Sequence, residues 1–154
     1  MTDNIKKQLD DYYDFWFGMN NLYEMWSKRH NLSYYSLFVL YIIKKKQGEC
    51  TQKMICTELL LPKQTVNTIL NSFENLGYIK KTIDENNKRN KFISYTEKGK
   101  IYSNEILDKL FEFEEKAMKK MTPKQRVQMA EINSISLKCF EEAFDEMYKQ
   151  GGGD

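Results

Sequence analysis

Gln64, Asn67 and Asn71 fall three and four residues apart, which stacks three amide side chains along one face of a helix. Each amide offers a donor beside an acceptor, the pairing that adenine presents through N7 and N6 in a major groove. A solvated polar face is the plainer account of them, and contact with base edges is the preferred one. Other chemistry is sparse. His30 is the only histidine, so a histidine-rich metal site is excluded, and a lone histidine near a helix end is more often a cap or surface group. Cys50, Cys56 and Cys139 lack metal-type spacing, and their odd number points to a reduced, intracellular protein. Cys56 and Cys139 read as core residues. Cys50, just before a helix start, is the one placed for a lowered thiol pKa and a redox role, though an inert thiol is the plainer reading. No nucleophile–base pair, phosphate loop or pair of catalytic carboxylates is visible, so no enzyme, metal or cofactor is expected.

The elements that position the amides have their own signatures. Thr51 can cap a short helix with Met54, Ile55, Leu59 and Leu60 as its apolar positions. Pro62 ends that helix and starts the next, because its missing N–H is not needed at a first helical position. Val66, Ile69, Leu70, Phe73 and Leu76 then form one apolar stripe, away from Gln64, Asn67 and Asn71. Gly77 follows where a left-handed cap favours a residue without Cβ. Residues 78–83 and 91–96, rich in aromatic and β-branched side chains, flank a polar tip at 84–90 and read as a hairpin. Helix, tight turn, helix and hairpin make a winged helix-turn-helix with a two-stranded wing. Cys56 supplies the small side chain needed where the two helices cross. Leu60 is unorthodox in a turn that usually takes glycine or a polar residue.

Charge follows the same stretch. Residues 44–100 hold twelve basic and six acidic side chains, a local excess of six, whereas the whole chain carries only +2. A basic surface on this motif is the electrostatic footprint of nucleic-acid binding. The run Lys44–Lys46 closes a helix and suits its dipole equally as well as it suits phosphate contact.

The flanks are helical. Ile5, Leu9, Tyr12, Tyr13, Trp16, Met19, Leu22, Tyr23 and Trp26 recur at helical spacing over 4–29, a stripe that needs a cover. Residues 32–46 read as a buried second helix. Thr96 caps a third flanking helix running to about residue 120, with Ile101, Ile106, Leu107, Leu110, Phe111, Phe113 and Met118 apolar. Thr122-Pro123-Lys124-Gln125 is a capping-box sequence opening a last helix to about Tyr148, with Val127, Ala130, Ile132, Leu137, Phe140, Phe144 and Met147 expected inward. The fold class is therefore mainly α: one winged-helix domain over 1–154, with the DNA-binding region at 33–98. Helices at 1–32 and 100–149 form a dimerisation region, since their apolar surplus exceeds a small core, and 150–154 is a flexible tail. Neither a secretion signal nor a membrane span is expected.

The order of helices, the run TQKMICTELLLPKQTVNTILNSFENLGYIKK and the closing Tyr95-Thr96-Glu97-Lys98-Gly99 resemble the MarR family of bacterial transcriptional regulators. The resemblance implies a homodimer, a recognition helix over 62–76 in the major groove, and a wing arginine, Arg89 preceded by Lys88, in the minor groove. It also implies release by a small aromatic ligand, for which Tyr12, Trp16, Tyr23, Tyr35 and Tyr41 are candidates; core or dimer contact is the plainer role for these rings. Thr68 stands where the family usually has arginine, Asn71 and Ser72 occupy positions often basic, and Asn87 replaces an acidic wing residue. Fewer cations imply weaker non-specific affinity. The candidate DNA contacts are Thr51, Gln52, Lys63, Gln64, Thr65, Asn67, Thr68, Asn71, Lys88 and Arg89. The expected protein is a cytoplasmic, homodimeric repressor on a palindromic operator of double-stranded DNA. The alternative is a winged-helix protein-interaction module that reads no bases.

Overall fold

The computed structural model describes residues 2–46, 48–83 and 91–148. Their contacts divide the chain into two compact units, Met1–Asp108 and Lys109–Asp154. The expected wing tip, Lys88 and Arg89 included, and the expected tail at 150–154 lie outside the described residues.

In the first unit α1 (Asp3–Arg29) precedes α2 (Tyr34–Lys46). The break between them is a Schellman turn: Asn31 takes φ 57, its amide bonds Lys28 O at 3.1 Å, and the Leu32 amide bonds Ser27 O at 3.0 Å. Asparagine tolerates that left-handed geometry better than most residues with a Cβ. Ser33 then caps α2, its Oγ accepting from the Ser36 amide at 3.1 Å. The crowded apolar pattern of α2 has the expected result: Leu37, Val39, Leu40, Ile42 and Ile43 are all buried, and this helix is the centre of the core.

Around α2 lie α3 (Gln52–Leu59), α4 (Lys63–Asn75) and a small antiparallel sheet. The sheet holds β2 (Ile79–Ile83) and β3 (Lys91–Tyr95), the expected hairpin, with Lys81 opposite Ile93. A third strand, β1 (Cys50–Thr51), pairs with β3 through Cys50 opposite Ile93. The sequence showed only two strands because a two-residue element carries no periodicity. Ile55, Val66, Leu70, Phe73, Ile79 and Ile93 complete the core with Ile106 and Leu107 from α5 (Glu97–Lys119).

In the second unit, α6 (Pro123–Tyr148) begins with the capping box. Thr122 Oγ1 accepts from the Gln125 amide at 3.2 Å, and Gln125 Oε1 accepts from the Thr122 amide at 2.8 Å. Arg126 turns back to donate to Met118 O and Met121 O, satisfying carbonyls left open at the end of the preceding helix. The expectation that Val127, Ala130, Ile132, Leu137, Phe140, Phe144 and Met147 point inward fails for the single chain, since α6 buries no residue. Cys139, expected in the core, is exposed with them.

Candidate nucleic-acid interface

Local capping fixes the two helices of the motif. Thr51 is extended at φ −122, ψ 158, and its Oγ1 accepts from the Met54 amide at 3.3 Å, as an N-cap should. At the other end of α3, Leu60 takes φ 51 and its amide bonds Cys56 O, which also accepts from Leu61 at 3.1 Å. Leu60 is therefore the left-handed cap of α3 and 89% exposed; it does not extend the apolar stripe. A Cβ in that region costs roughly 1–2 kcal/mol relative to glycine, so the unorthodox residue makes the turn at a strain. Pro62 is the N-cap of α4 rather than its first residue, with its carbonyl accepting from the Val66 amide at 3.2 Å.

α4 buries Val66, Leu70 and Phe73, while Leu76, half-exposed beyond its last turn, is its C-cap. Gly77 follows at φ 72, and the Tyr78 amide reaches Phe73 O at 2.8 Å, a second Schellman turn. At about 100° per residue, Gln64, Thr68 and Asn71 then stand opposite the core stripe, and all three are exposed. Asn75, not among the sequence candidates, continues that face. Lys63 and Asn67 turn toward the sheet, and Thr65 is half-buried at the opposite edge.

Two candidates have other work. Gln52 donates through Nε2 to Lys63 O at 3.0 Å, tying the start of α3 to the start of α4. Thr68 returns its hydroxyl to Gln64 O at 3.0 Å, so its donor serves the helix's own backbone. Asn71 is held from the side, its Oδ1 accepting from Lys81 Nζ at 3.0 Å.

Between α3, α4 and the sheet lies a cleft of about 600 Å³. Cys56, Leu70 and Ile93 form its apolar part; Lys53, Lys63, Lys81 and Lys91 line it with Thr51, Gln52 and Asn67. Among the described residues the lining includes four lysines and no acidic side chain, and Lys81 is offset by the Glu74 carboxylate at 2.6 Å. Sequence reasoning named Lys63, held Lys91 only as a substitute for Arg89, and missed Lys53 and Lys81. The charge count contained all four, but nothing in the spacing of β2 and β3 shows that they meet α3 and α4.

The lysine run at the end of α2 is engaged in ion pairs. Lys44 pairs with Asp108 at 3.3 Å, and Lys45 and Lys46 pair with Glu58 at 3.5 and 2.6 Å. The hydrogen bond from Lys46 holds the Glu58 carboxyl below its ordinary range. Cys50 overturns the idea of a lowered thiol pKa: it faces inward from β1, fully buried, and burial pushes it up to about 11, with the Glu58 carboxylate adding to the rise. His30 serves as a cap, its amide bonding Ser27 O at 2.9 Å and its ring stacked on Trp26 at 3.8 Å. Among the described residues no group of three or more His, Cys, Asp or Glu is placed to hold a metal. No described helix is long and apolar enough to cross a membrane.

The ligand candidates fall in three places. Tyr12 and Trp16 are exposed on α1 beside Tyr13 and Phe17. Tyr23 is half-buried against Phe38 at 5.6 Å, and Tyr35 joins that cluster through Tyr34. Tyr41 is half-buried on α2.

The sequence model of the MarR family matches residues 30–90, the stretch that contains α2, both helices of the motif and β2. No curated protein sequence matches the chain. Among solved structures, a MarR family regulator from Neisseria meningitidis is 26% identical with a TM-score of 0.77, over 90% of this chain and 97% of that one. Streptococcus pneumoniae FabT in complex with DNA is 20% identical with a TM-score of 0.71, over 90% of this chain and 99% of that one. AbsC, a MarR family transcriptional regulator from Streptomyces coelicolor, is 12% identical with a TM-score of 0.76, over 92% and 97%. By the family match over the motif and by these structural likenesses, the chain is a MarR-like winged helix-turn-helix protein with the fold of MarR family transcriptional regulators.

Proposed function

We propose that this chain is a cytoplasmic repressor that binds a palindromic operator as a homodimer, with α4 in the major groove and the wing in the minor groove. The observation that carries this reading is the exposed amide face of α4 beside a lysine-lined cleft. Phosphate contacts made by Lys53, Lys63 and Lys91 would set register, and Gln64, Asn67 and Asn71 would read base edges. Arg89, with Lys88, supplies the minor-groove contact. The shared fold with FabT, a protein solved on DNA, supports the same placement. The large exposed apolar set of α1 and α6 supports a second copy as its cover. Release by a small aromatic ligand is the remaining part, with the rings around Tyr23 and Tyr35 as its site.

The test is a mobility-shift titration of the chain on its own upstream DNA and on random duplex, at two salt concentrations. Preference for the upstream DNA that survives higher salt supports the regulator. Equal binding to both, erased by salt, removes operator reading and leaves a winged-helix module for an acidic protein partner.

A further inference from the structure

We propose that Lys81 fixes the orientation of the Asn71 amide and thereby decides which base edges α4 can read at that position. This rests on the operator-binding reading above. Lys81 lies in the middle of β2, opposite Ile93, with its side chain only 18% exposed. Its Nζ is 3.0 Å from Asn71 Oδ1 and 2.6 Å from Glu74 Oε2. Asn71 and Glu74 are three residues apart, so both meet the sheet from the same side of α4.

The chemistry leaves the amide one choice. An ammonium has three donors and no acceptor, so only the oxygen of Asn71 can face it. The Nδ2 group is then the free arm of the amide. Bidentate reading of adenine requires Oδ1 to accept from N6 while Nδ2 donates to N7. In this protein a cation already takes one lone pair of that oxygen, and its positive charge opposes approach of the N6 amino group to the other. Asn71 becomes a donor, suited to the adjacent N7 and O6 acceptors of guanine or to O4 of thymine, whereas adenine sets an amino group beside its N7. Gln64 and Asn67 have no such side-chain tether among the described residues, and keep both arms. Lys81 has a second effect, because it offsets the Glu74 carboxylate on a helix that faces a polyanion. Lys81 is thus a positioning residue acting through Asn71.

The experiment is selection of a randomised operator library by wild type, Lys81→Met, Asn71→Ala, the double variant, and Lys81→Met with Glu74→Gln. Methionine keeps the buried stem and removes the ammonium. Wild type should favour guanine or thymine at the one position whose preference Asn71→Ala erases. Lys81→Met should shift that position toward adenine by about tenfold, and only while Asn71 is present. Adding Glu74→Gln should restore the overall affinity lost with Lys81 yet leave the adenine preference in place. A phosphate contact or a purely structural role for Lys81 would lower affinity alike for all bases, with the profile unmoved; that result overturns the proposal. Adenine preference in wild type at the Asn71 position overturns it equally. Wild type without any base preference removes the operator-binding reading, and this inference with it.

Discussion

The carbonyl oxygen of Tyr78 lies 1.7 Å from the point where a side chain on Gly99 would begin. That approach closes the winged helix, because the start of α5 is pinned onto the end of α4. Thr96 Oγ1 donates to Gly77 O at 2.6 Å, its amide bonds Tyr78 O at 3.0 Å, and it accepts from the Gly99 amide at 3.0 Å. Lys98 donates to Leu76 O at 2.8 Å, and Tyr102 stacks on Tyr78 with ring centroids 4.1 Å apart. Gly99→Ala should therefore destabilise by at least about 2–3 kcal/mol, since the obstacle is backbone and cannot swing aside. Gly18→Ala, in the exposed middle of α1 with open space around it, should instead stabilise by roughly 0.5–1 kcal/mol. Denaturant melts of both variants test the contrast; equal effects would mean the junction is not close-packed.

Cys50 should be an inert thiol with an alkaline signature. Its folded pKa is raised from 9.0 to about 11, so the neutral form is the one favoured by folding. The stability it contributes is fully present below pH 9.0 and is lost as pH rises toward 11. Cys50→Ala should flatten the fall in stability across that window, whatever it does at neutral pH. In a chain carrying Cys56→Ser and Cys139→Ser, an aromatic disulfide reagent at pH 8 should react only as fast as the protein unfolds. Immediate labelling of the folded protein would show that the thiol is neither buried nor raised.

What the sequence made legible was whatever a local rule governs. Thr51, Gly77, Thr96 and the Thr122–Gln125 box cap as their residue types require, and the crowded apolar run at 37–43 is the buried centre. The exposure of Gln64 and Asn71 opposite the core was legible because helical spacing alone sets it, whereas Asn67 turns toward the sheet. What stayed hidden depends on partners distant in sequence. Cys50 looked like a residue ahead of a helix N-terminus, but its pairing with Ile93 turns it inward. Lys81 reaches Asn71 across ten positions, and no helix or strand period links them. Leu60 misled because an apolar residue in register with a stripe is indistinguishable from one that caps it until φ is known.

The exposed apolar side chains of α6 should be covered by a second copy of the chain. Leu137, Phe140, Phe144 and Met147 are each more than half exposed, and Phe15 and Phe17 on α1 are similarly open. Surfaces of this kind are rarely left to water in a monomer. The chain should run as a dimer in sedimentation at micromolar concentration. Leu137→Asp with Phe144→Asp should shift it to monomer, because two carboxylates would be buried without partners. Deleting residues 122–154 should abolish dimerisation or folding. A folded, monomeric truncated chain alongside a monomeric full-length chain would contradict the dimer.

Asn67 and Lys63 separate reading from holding, because they sit one turn apart on α4 and both line the cleft. Neither supports the core, so Asn67→Ala and Lys63→Ala should each leave the melting temperature nearly unchanged, within about 0.5 kcal/mol of stability. An uncharged amide releases no counterions, so Asn67→Ala should cost about 1–3 kcal/mol on the selected operator and much less on scrambled duplex, with the salt slope intact. Lys63→Ala should weaken both duplexes alike and reduce the slope of log affinity against log salt by about one. Arg89→Ala should resemble Lys63→Ala in losing operator and non-operator binding together. The measurement is a salt titration of all four proteins on both duplexes. Equal losses on the two duplexes for Asn67→Ala would make it a positioning residue. An unchanged salt slope for Lys63→Ala would mean that the cleft does not hold phosphate, and that the backbone runs along another face of α4.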